Sequence, residues 1–286
     1  MVGITNIKHL CYVLGSDVDT IDNIINNIDD YYRVWEVKKR NKDTGDPIIV
    51  KGKPKVRTLC TTLPKLKLIQ KKLYRYLLSN TVIPDYAYGG IPKKDNVLNA
   101  KQHQGNKYIF TTDLKSFFPS ISNTDVFNFF IEQGCTPTIS RKLTQLTTYK
   151  HEIPQGVPTS SLLANLIFKK TGDKLATFSK DRNILFTTFV DDLTFSSKTC
   201  FKKETHNILQ IIKDDGFAIS HKKTFYKTRN PVITGVVCQN NRLKLSNGYY
   251  KKLARINKMT IINPDDESLL KSEEGLFRYR KRVENK

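Results

Sequence analysis

Two short β-prone runs meet at a pair of aspartates in the second half of the chain. Residues 186–195 read Phe-Thr-Thr-Phe-Val-Asp-Asp-Leu-Thr-Phe, in which Asp191 and Asp192 separate the two runs. β-Branched and aromatic residues on both sides of turn-forming residues are typical of two strands joined by a tight turn. A further β-prone run, residues 107–113, ends at Asp113. The pattern therefore predicts strands that end in one single and one paired carboxylate.

Helical periodicity alternates with these strands. Ser122 is a predicted N-cap, with Asp125 three residues later and a stop at Gly134. Apolar residues also recur at helical spacing in residues 21–28, 66–77 and 208–212, and helix formers dominate residues 249–259 and 267–282. The sequence therefore predicts an α+β fold.

The paired aspartates carry an electrostatic cost. Two unit negative charges about 4 Å apart repel by roughly 4 kcal/mol at an effective dielectric near 20, which favours a bound cation. Oxygen-only ligands suit Mg²⁺. The alternative is an ordinary turn, as expected for the pairs Asp29-Asp30 and Asp265-Asp266. A third carboxylate at Asp113 gives the set needed to hold two metal ions, and it predicts the palm of a polymerase.

The same residues resemble the motifs of reverse transcriptases. Residues 113–121, 154–165 and 189–192 resemble the three palm motifs of that family in order and spacing, with Phe189 in place of the more usual Tyr. Residues 99–103, Asn-Ala-Lys-Gln-His, resemble the Asn-Ala-x-x-His signature of bacterial retron enzymes, and residues 233–235, Ile-Thr-Gly, resemble their Val-Thr-Gly. The resemblance covers roughly residues 30–285. It implies a right-hand polymerase with an N-terminal helical extension (1–30), fingers (31–105), a palm with an antiparallel sheet flanked by helices (106–240) and a small α-helical thumb (241–286).

The resemblance also implies roles for individual residues. Asp113, Asp191 and Asp192 are the expected catalytic residues and, with Leu114, the expected ligands of two Mg²⁺ ions. The expected nucleotide-binding residues are Lys55, Arg57, Phe118 as a steric gate against a ribose 2′-hydroxyl, Gln155, Gly156 and Lys223, although the sequence does not decide between Lys222 and Lys223. The expected RNA- or primer-binding residues are Asn99, His103, Thr234, Gly235, Lys251, Lys252, Arg255, Arg278 and Arg280.

Charge and cysteine content agree with such a protein. Lys and Arg number 48 against 27 Asp and Glu, and the net charge of +21 favours nucleic acid as a partner. The five cysteines are scattered without a Cys-x-x-Cys pair, so neither zinc nor disulfides are expected. Neither a membrane-spanning run nor a signal-like start is evident, so we expect no membrane partner and a cytoplasmic location.

The expected function is RNA-directed DNA synthesis from dNTPs. Similarity to retron enzymes implies a cognate structured non-coding RNA, a branched RNA-linked single-stranded DNA product (msDNA), an effector protein as partner and a role in antiphage defence. Two alternatives stay open at this point. The chain is compatible with another bacterial defence or intron-type reverse transcriptase, and with an RNA-binding scaffold that no longer polymerises.

Overall fold

The structure is a computed structural model that describes residues 1–40, 46–50 and 52–284. Its helices are α1 (Ile7–Leu14), α2 (Val18–Asn26), α3 (Pro64–Asn80), α4 (Asn96–Gln102), α5 (Phe117–Ser120), α6 (Asn123–Glu132), α7 (Pro137–Thr147), α8 (Ser160–Lys180), α9 (Thr205–Asp214), α10 (Asn247–Ile262) and α11 (Glu267–Glu284). Its strands are β1 (Tyr32–Lys38), β2 (Ile49–Val50), β3 (Lys53–Pro54), β4 (Val56–Thr62), β5 (Tyr108–Asp113), β6 (Leu185–Phe189), β7 (Asp192–Ser197), β8 (Phe225–Lys227), β9 (Val232–Ile233), β10 (Val236–Cys238) and β11 (Leu243–Leu245). Short 3-10 turns cover Ile28–Tyr31, Lys202–Glu204 and His221–Lys223.

An antiparallel sheet in the order β6-β7-β5-β8 forms the centre of the fold. Successive residues of a strand point to opposite faces, and here both faces are covered. Phe110 of β5 lies in the main hydrophobic core with Phe186 and Phe195. Its neighbour Ile109 lies in a second core on the other face. The sheet is therefore held rigidly between two layers, as suits strands that must present charged residues at one edge.

The helices that cover the main core follow the predicted patterns. Helix α6 begins with the capping box of Ser122 and Asp125, and Gly134 follows its end with φ of 82°. Helix α3 buries Leu66, Ile69, Leu73 and Leu77, the predicted apolar face. The N-terminal helices α1 and α2 also contribute fully buried residues to this core, among them Leu10, Leu14, Ile21 and Ile24.

A two-stranded ribbon projects from the core on the N-terminal side. Strand β1 pairs with β4 from Tyr32 opposite Thr62 to Lys38 opposite Val56. Only Tyr32 of β1 is buried. The ribbon carries the basic residues Arg33, Lys38 and Arg57, and most of its first strand is exposed to solvent.

The second core joins the C-terminal elements to the sheet. The three-stranded sheet β11-β10-β9 packs with α4 and with Val283 of α11. Asn96 at the start of α4 donates a hydrogen bond to the Thr234 carbonyl at 3.1 Å and lies 2.6 Å from the Tyr279 hydroxyl. Helix α4 is therefore the platform for both the β9–β10 turn and α11. Within the described ranges, none of the helices combines the length and apolarity that a membrane crossing requires.

Candidate active site

Three aspartates share one edge of the central sheet. Asp113 is the last residue of β5 and stands opposite Asp192, the first residue of β7. The Leu114 amide donates to the Asp191 carbonyl at 2.9 Å, and the Ser220 amide donates to the Asp113 carbonyl at 2.8 Å. Strand pairing thus brings the backbones of three aspartates that are far apart in sequence to one edge of the sheet.

The turn that carries Asp191 is strained. Strand β6 ends at Phe189 and β7 begins at Asp192, so Val190 and Asp191 form the connection. Val190 has φ of 58°, in the left-handed region that β-branched residues rarely adopt. Such backbone costs about 1–3 kcal/mol and is concentrated at functional sites. The strain at Val190 therefore indicates that the position of the adjacent carboxylate matters more than local stability.

The electrostatics of this corner favour a cation. Burial raises the pKa of Asp191, and the negative charge of Asp113 raises it further, whereas Lys223 and Arg57 act against this. Asp113 is only 5% exposed. Two carboxylates held together in a poorly solvated site fit a divalent cation with oxygen ligands. Leu114 has an apolar side chain, so its part in such a site is limited to its carbonyl oxygen.

No complete metal-ligand set is assembled in the part of the chain that the structure describes: no three His, Cys, Asp or Glu side chains converge there. Instead, Nζ of Lys223 lies 2.5 Å from Oδ2 of Asp113. Burial lowers the pKa of Lys223, but the hydrogen bond and charge of Asp113 outweigh it, so the net shift is upward. Of the two candidate lysines, the geometry selects Lys223 as the one that reaches the carboxylates.

A cleft of about 370 Å³ opens beside the carboxylates. It brings together these predicted residues: Lys55, Arg57, Asp113, Leu114, Phe118, Gln155, Asp191 and Lys223. Its wall also includes Lys39, which the sequence analysis did not select. Burial lowers the pKa of Lys39, and the charges of Arg57, Lys55 and Lys223 lower it further. The basic run Lys38-Lys39-Arg40 was the available signal. Lysine and arginine side chains therefore line the same cleft as the carboxylates.

Gly156 packs against the backbone of β4 and does not face the cleft. A Cβ at Gly156 would lie 2.5 Å from the Cys60 carbonyl oxygen, and its φ is 107°. The Cys60 amide donates to the Gln155 carbonyl at 2.8 Å. The expected close backbone approach at Gly156 is thus made by β4 of the ribbon, and Gly156 is not among the residues that line the cleft. The turn at Gln155 fixes the ribbon that carries Lys55 and Arg57.

Asp192 is not among the residues that line the cleft and instead borders a smaller pocket of about 210 Å³, which is lined by Thr234, Gly235, Lys223 and Phe225 among others. Thr234 has φ of 46°, and its hydroxyl donates to the Asn96 carbonyl at 3.1 Å. Asn99 Nδ2 also lies 3.5 Å from Thr234 Oγ1, so the two segments that resemble retron signatures are in contact. The β9–β10 turn lies next to the carboxylate corner.

His103 lies in the interior. It is 0% exposed, with Nδ1 2.7 Å from Ser196 Oγ and Nε2 2.7 Å from Thr187 Oγ1. Burial lowers the pKa of His103 to about 3. Asn99 is equally buried, with Nδ2 3.5 Å from Thr234 Oγ1. Because neither side chain reaches the surface, the expected direct RNA contacts of His103 and Asn99 are corrected: both side chains join α4 to neighbouring strands.

The buried ring of His103 predicts a pH-dependent stability. Replacement by alanine leaves a cavity and deprives Thr187 of a partner, so His103→Ala is expected to lower the free energy of unfolding by about 2–4 kcal/mol near neutral pH. Below pH about 6.5 the unfolded chain binds a proton that the folded state refuses, which costs wild type about 1.4 kcal/mol per pH unit. The difference between wild type and variant is therefore expected to shrink from pH about 7 to about 5.

Urea unfolding at several pH values measures this difference. His206→Ala, on the exposed face of α9, is the matched control and should change stability by less than about 0.5 kcal/mol. A His103→Ala penalty that is constant with pH contradicts the assignment of a neutral buried ring.

The predicted basic residues of the C-terminal helices differ in their surroundings. Lys251, Lys252 and Arg255 are exposed on α10. Arg278 and Arg280 on α11 instead pair with Glu274 and Glu284, each four residues away. The Arg278–Glu274 pair is exposed and therefore weak, so a phosphate can replace this glutamate. In the other pair the Glu284 side chain is only 12% exposed, so Arg280 is held more firmly. The surface of α10 is the more directly available of the two.

The fold has a counterpart among solved structures. The telomerase from Candida albicans, in complex with a fragment of telomeric RNA, aligns with a TM-score of 0.52 and 12% identity. The alignment covers 92% of this chain and 57% of that chain. At this identity, the likeness concerns the fold alone.

The sequence comparisons are more specific. Residues 37–245 match the family described as Reverse transcriptase (RNA-dependent DNA polymerase). The chain is 28% identical over 252 residues to the Retron Ec86 reverse transcriptase of Escherichia coli, covering 87% of this chain and 76% of that protein. It is 28% identical to the Retron Se72 reverse transcriptase of Salmonella heidelberg (73% and 53% covered) and 24% identical to the Retron Mx65 reverse transcriptase of Myxococcus xanthus (88% and 64% covered).

The matched region contains all three aspartates of the sheet edge and most of the cleft that faces them. The chain therefore belongs to the reverse transcriptase family and is an RNA-directed DNA polymerase of the retron type.

Proposed function

We propose that this enzyme binds its own structured non-coding RNA, copies part of it into DNA and leaves the product attached as branched RNA-linked DNA. The observation that carries the proposal is the carboxylate corner, in which Asp113 and Asp191 line the same cleft as Lys55 and Arg57. Asp192 stands opposite Asp113 on the neighbouring strand. The branched product, the effector protein and the role against phage are supported by the similarity to retron enzymes.

The three aspartates are proposed to hold two Mg²⁺ ions, together with the Leu114 carbonyl. Reverse transcriptases generally use divalent ions, and bound Mg²⁺ activates the attacking hydroxyl and neutralises charge on the triphosphate. Asp113 and Asp191 supply the negative charge for this, and the hydrogen bond from the Leu114 amide to the Asp191 carbonyl ties the turn to the end of β5. Lys223 is hydrogen-bonded to Asp113. If a cation bound to Asp113 instead, the Lys223 ammonium would be free to contact the triphosphate.

The opposite wall of the cleft is proposed to bind the nucleotide. Arg57, Lys55 and Lys39 lie close enough together for the charges of Arg57 and Lys55 to lower the pKa of Lys39, and Arg57 also acts on the pKa of Asp191 across the cleft. This concentration of positive charge is suited to binding a triphosphate. Phe118 is half-buried beside the buried Phe117 and lines the cleft, as a gate against a ribose 2′-hydroxyl requires. Gln155 also lines this cleft, and its side-chain amide is suited to a hydrogen bond with the nucleotide.

Template and primer are proposed to run from the cleft to the C-terminal helices. Thr234 and Gly235 border the Asp192 pocket and are suited to the backbone of the primer end. The exposed residues Lys251, Lys252 and Arg255 on α10 are suited to phosphates beyond it. The net charge of +21 supplies the attraction that brings these surfaces and RNA together.

The nucleic acid that co-purifies with the enzyme tests this proposal. We expect expression with the flanking genomic DNA to yield a single-stranded DNA joined to RNA by a 2′,5′ branch, detected by sequencing before and after debranching. The double variant Asp191→Asn, Asp192→Asn is the control, and its RNA should carry no DNA. DNA without a branch points to another bacterial defence or intron-type enzyme, and RNA without DNA in wild type contradicts polymerisation.

A further inference from the structure

A glycine-containing segment, to which the sequence analysis assigned no role, packs against the turn that carries Asp191. Residues 86–90, Tyr-Ala-Tyr-Gly-Gly, run alongside β6. The Tyr88 amide donates to the Thr188 carbonyl at 2.8 Å, and the Thr188 amide donates to the Tyr86 carbonyl at 2.8 Å. Ala87 forms a parallel bridge with Thr188. The segment therefore extends the sheet at the strand that leads into the turn.

Gly89 is the point where this segment meets the turn. A Cβ at Gly89 would lie 2.6 Å from both N and Cγ2 of Val190, and 2.8 Å from the carbonyl carbon of Phe189. Separations under 3.0 Å essentially never occur for a real Cβ, and most of these neighbours are backbone atoms that cannot swing aside. The φ of Gly89 lies outside the left-handed region, so glycine is required here by space rather than by backbone conformation.

Helix α8 holds the segment from the other side. Asn165 is 5% exposed, and its Nδ2 donates to the Gly89 carbonyl at 2.7 Å. A Cβ at the next residue, Gly90, would lie 2.5 Å from Cβ of Ser161. The segment is thus fixed between α8, which follows the turn at Gln155, and the turn of Val190 and Asp191.

We propose that residues 86–90 form a brace that keeps the strained catalytic turn in place, with Gly89 and Asn165 as positioning residues for Asp191. Backbone strain such as that at Val190 persists only when the surroundings determine it. The brace supplies that constraint, because Gly89 packs on the Val190 amide and Asn165 fixes Gly89. The proposal rests on the proposed role of Asp191 in binding metal and orienting the reactants.

The sharpest test compares two glycines with ordinary φ. Gly89→Ala forces atoms apart at the turn, whereas Gly275→Ala in α11 meets open space within 4 Å. A displacement of about 1 Å in a catalytic group costs about 100-fold in rate, so Gly89→Ala should lower kcat about 100-fold. Its KM for dNTP should stay within about twofold, because the cationic wall is untouched. Gly275→Ala should match wild type in both.

Binding of the metal alone provides a readout independent of turnover. Titration of each purified protein with Mn²⁺, followed by electron paramagnetic resonance, should show at least about fivefold weaker binding for Gly89→Ala and none of this loss for Gly275→Ala. Thermal unfolding measures the folded fraction in parallel. Should Gly89→Ala fail to fold, Asn165→Ala provides the milder variant, and it is expected to have a lower kcat and a weaker affinity for Mn²⁺ than wild type.

Relief of the strain should also weaken the need for the brace. In a Val190→Gly background, the turn residue adopts its φ without cost, so the effect of Asn165→Ala on kcat should shrink at least about fivefold. The proposal is overturned if Gly89→Ala has the same kcat and the same Mn²⁺ affinity as wild type. It is also overturned if the activity of Gly89→Ala falls only in proportion to the fraction of protein that is folded. If wild type itself does not extend primers, the proposed function fails, and the Mn²⁺ titration still decides the brace.

Discussion

Asp191→Asn is expected to lower the rate of primer extension on an RNA template by about 1,000-fold or more, since metal-based charge stabilisation is worth several kcal/mol. The substitution keeps the shape of the side chain but removes the charge that makes the corner attractive to a cation. Because burial and the charge of Asp113 already raise the pKa of Asp191, a bound cation would stabilise the charge of this carboxylate. Single-turnover extension of a DNA primer on an RNA template measures the effect.

Asp265→Asn is the matched control for this variant. It alters another aspartate of an Asp-Asp pair, at an exposed position between α10 and α11, and should leave the extension rate within about twofold of wild type. RNA affinity of Asp191→Asn, measured by filter binding, should also remain at the level of wild type, since the net charge of the protein rises by only one unit. Equal extension rates for Asp191→Asn and wild type would remove Asp191 from the mechanism.

Arg57→Ala should reduce kcat/KM for dNTP by about 100-fold or more, in line with the loss of a cation that stabilises a transferring phosphoryl group. Arg57 lies on β4 and lines the cleft, and its charge acts on Asp191 from across it. Lys55 and Lys39 share the same wall and retain part of the attraction, so the loss should be smaller than for Asp191→Asn. Steady-state kinetics with a single dNTP measures it.

Arg33→Ala is the control on the same ribbon. Arg33 is exposed on β1, opposite Thr61 and outside the cleft. It carries the same charge, so a general effect of lowering the positive charge of the ribbon should appear equally in both variants. A loss confined to Arg57→Ala supports direct contact with the triphosphate, whereas equal losses in Arg33→Ala and Arg57→Ala contradict it.

Local patterns in the sequence were sufficient to predict several of the helices and strands and the acidic residues of the site. The apolar spacing of α3 and the capping box of α6 are satisfied within a few residues of chain, so they are read correctly from the sequence. The same holds for the strands that end at Asp113 and begin at Asp192. The aspartates at the ends of these strands predicted a cation-binding site, and the pairing of β5 with β7 places them side by side.

Several roles depended on neighbours that are distant in sequence. His103 resembled a signature residue and was expected to touch RNA, but its two hydroxyl partners come from β6 and β7 and place it in the interior. Gly156 was expected to approach a nucleotide, and its close neighbour is the carbonyl of Cys60. A sequence shows that such a residue is small or polar but not which atoms surround it.

Taken by itself, the sequence determined the strands that meet at the aspartates, the helices α3 and α6, the identity of the acidic and basic residues and the family, since these depend on residue type and local spacing. Tertiary structure decided which of Lys222 and Lys223 reaches Asp113, that Lys39 joins the cationic wall, and that Gly89 lies against Val190. The physical reason is that charge interaction and steric contact depend on distances in space. Those distances are set only when the ribbon, the sheet and α8 pack together.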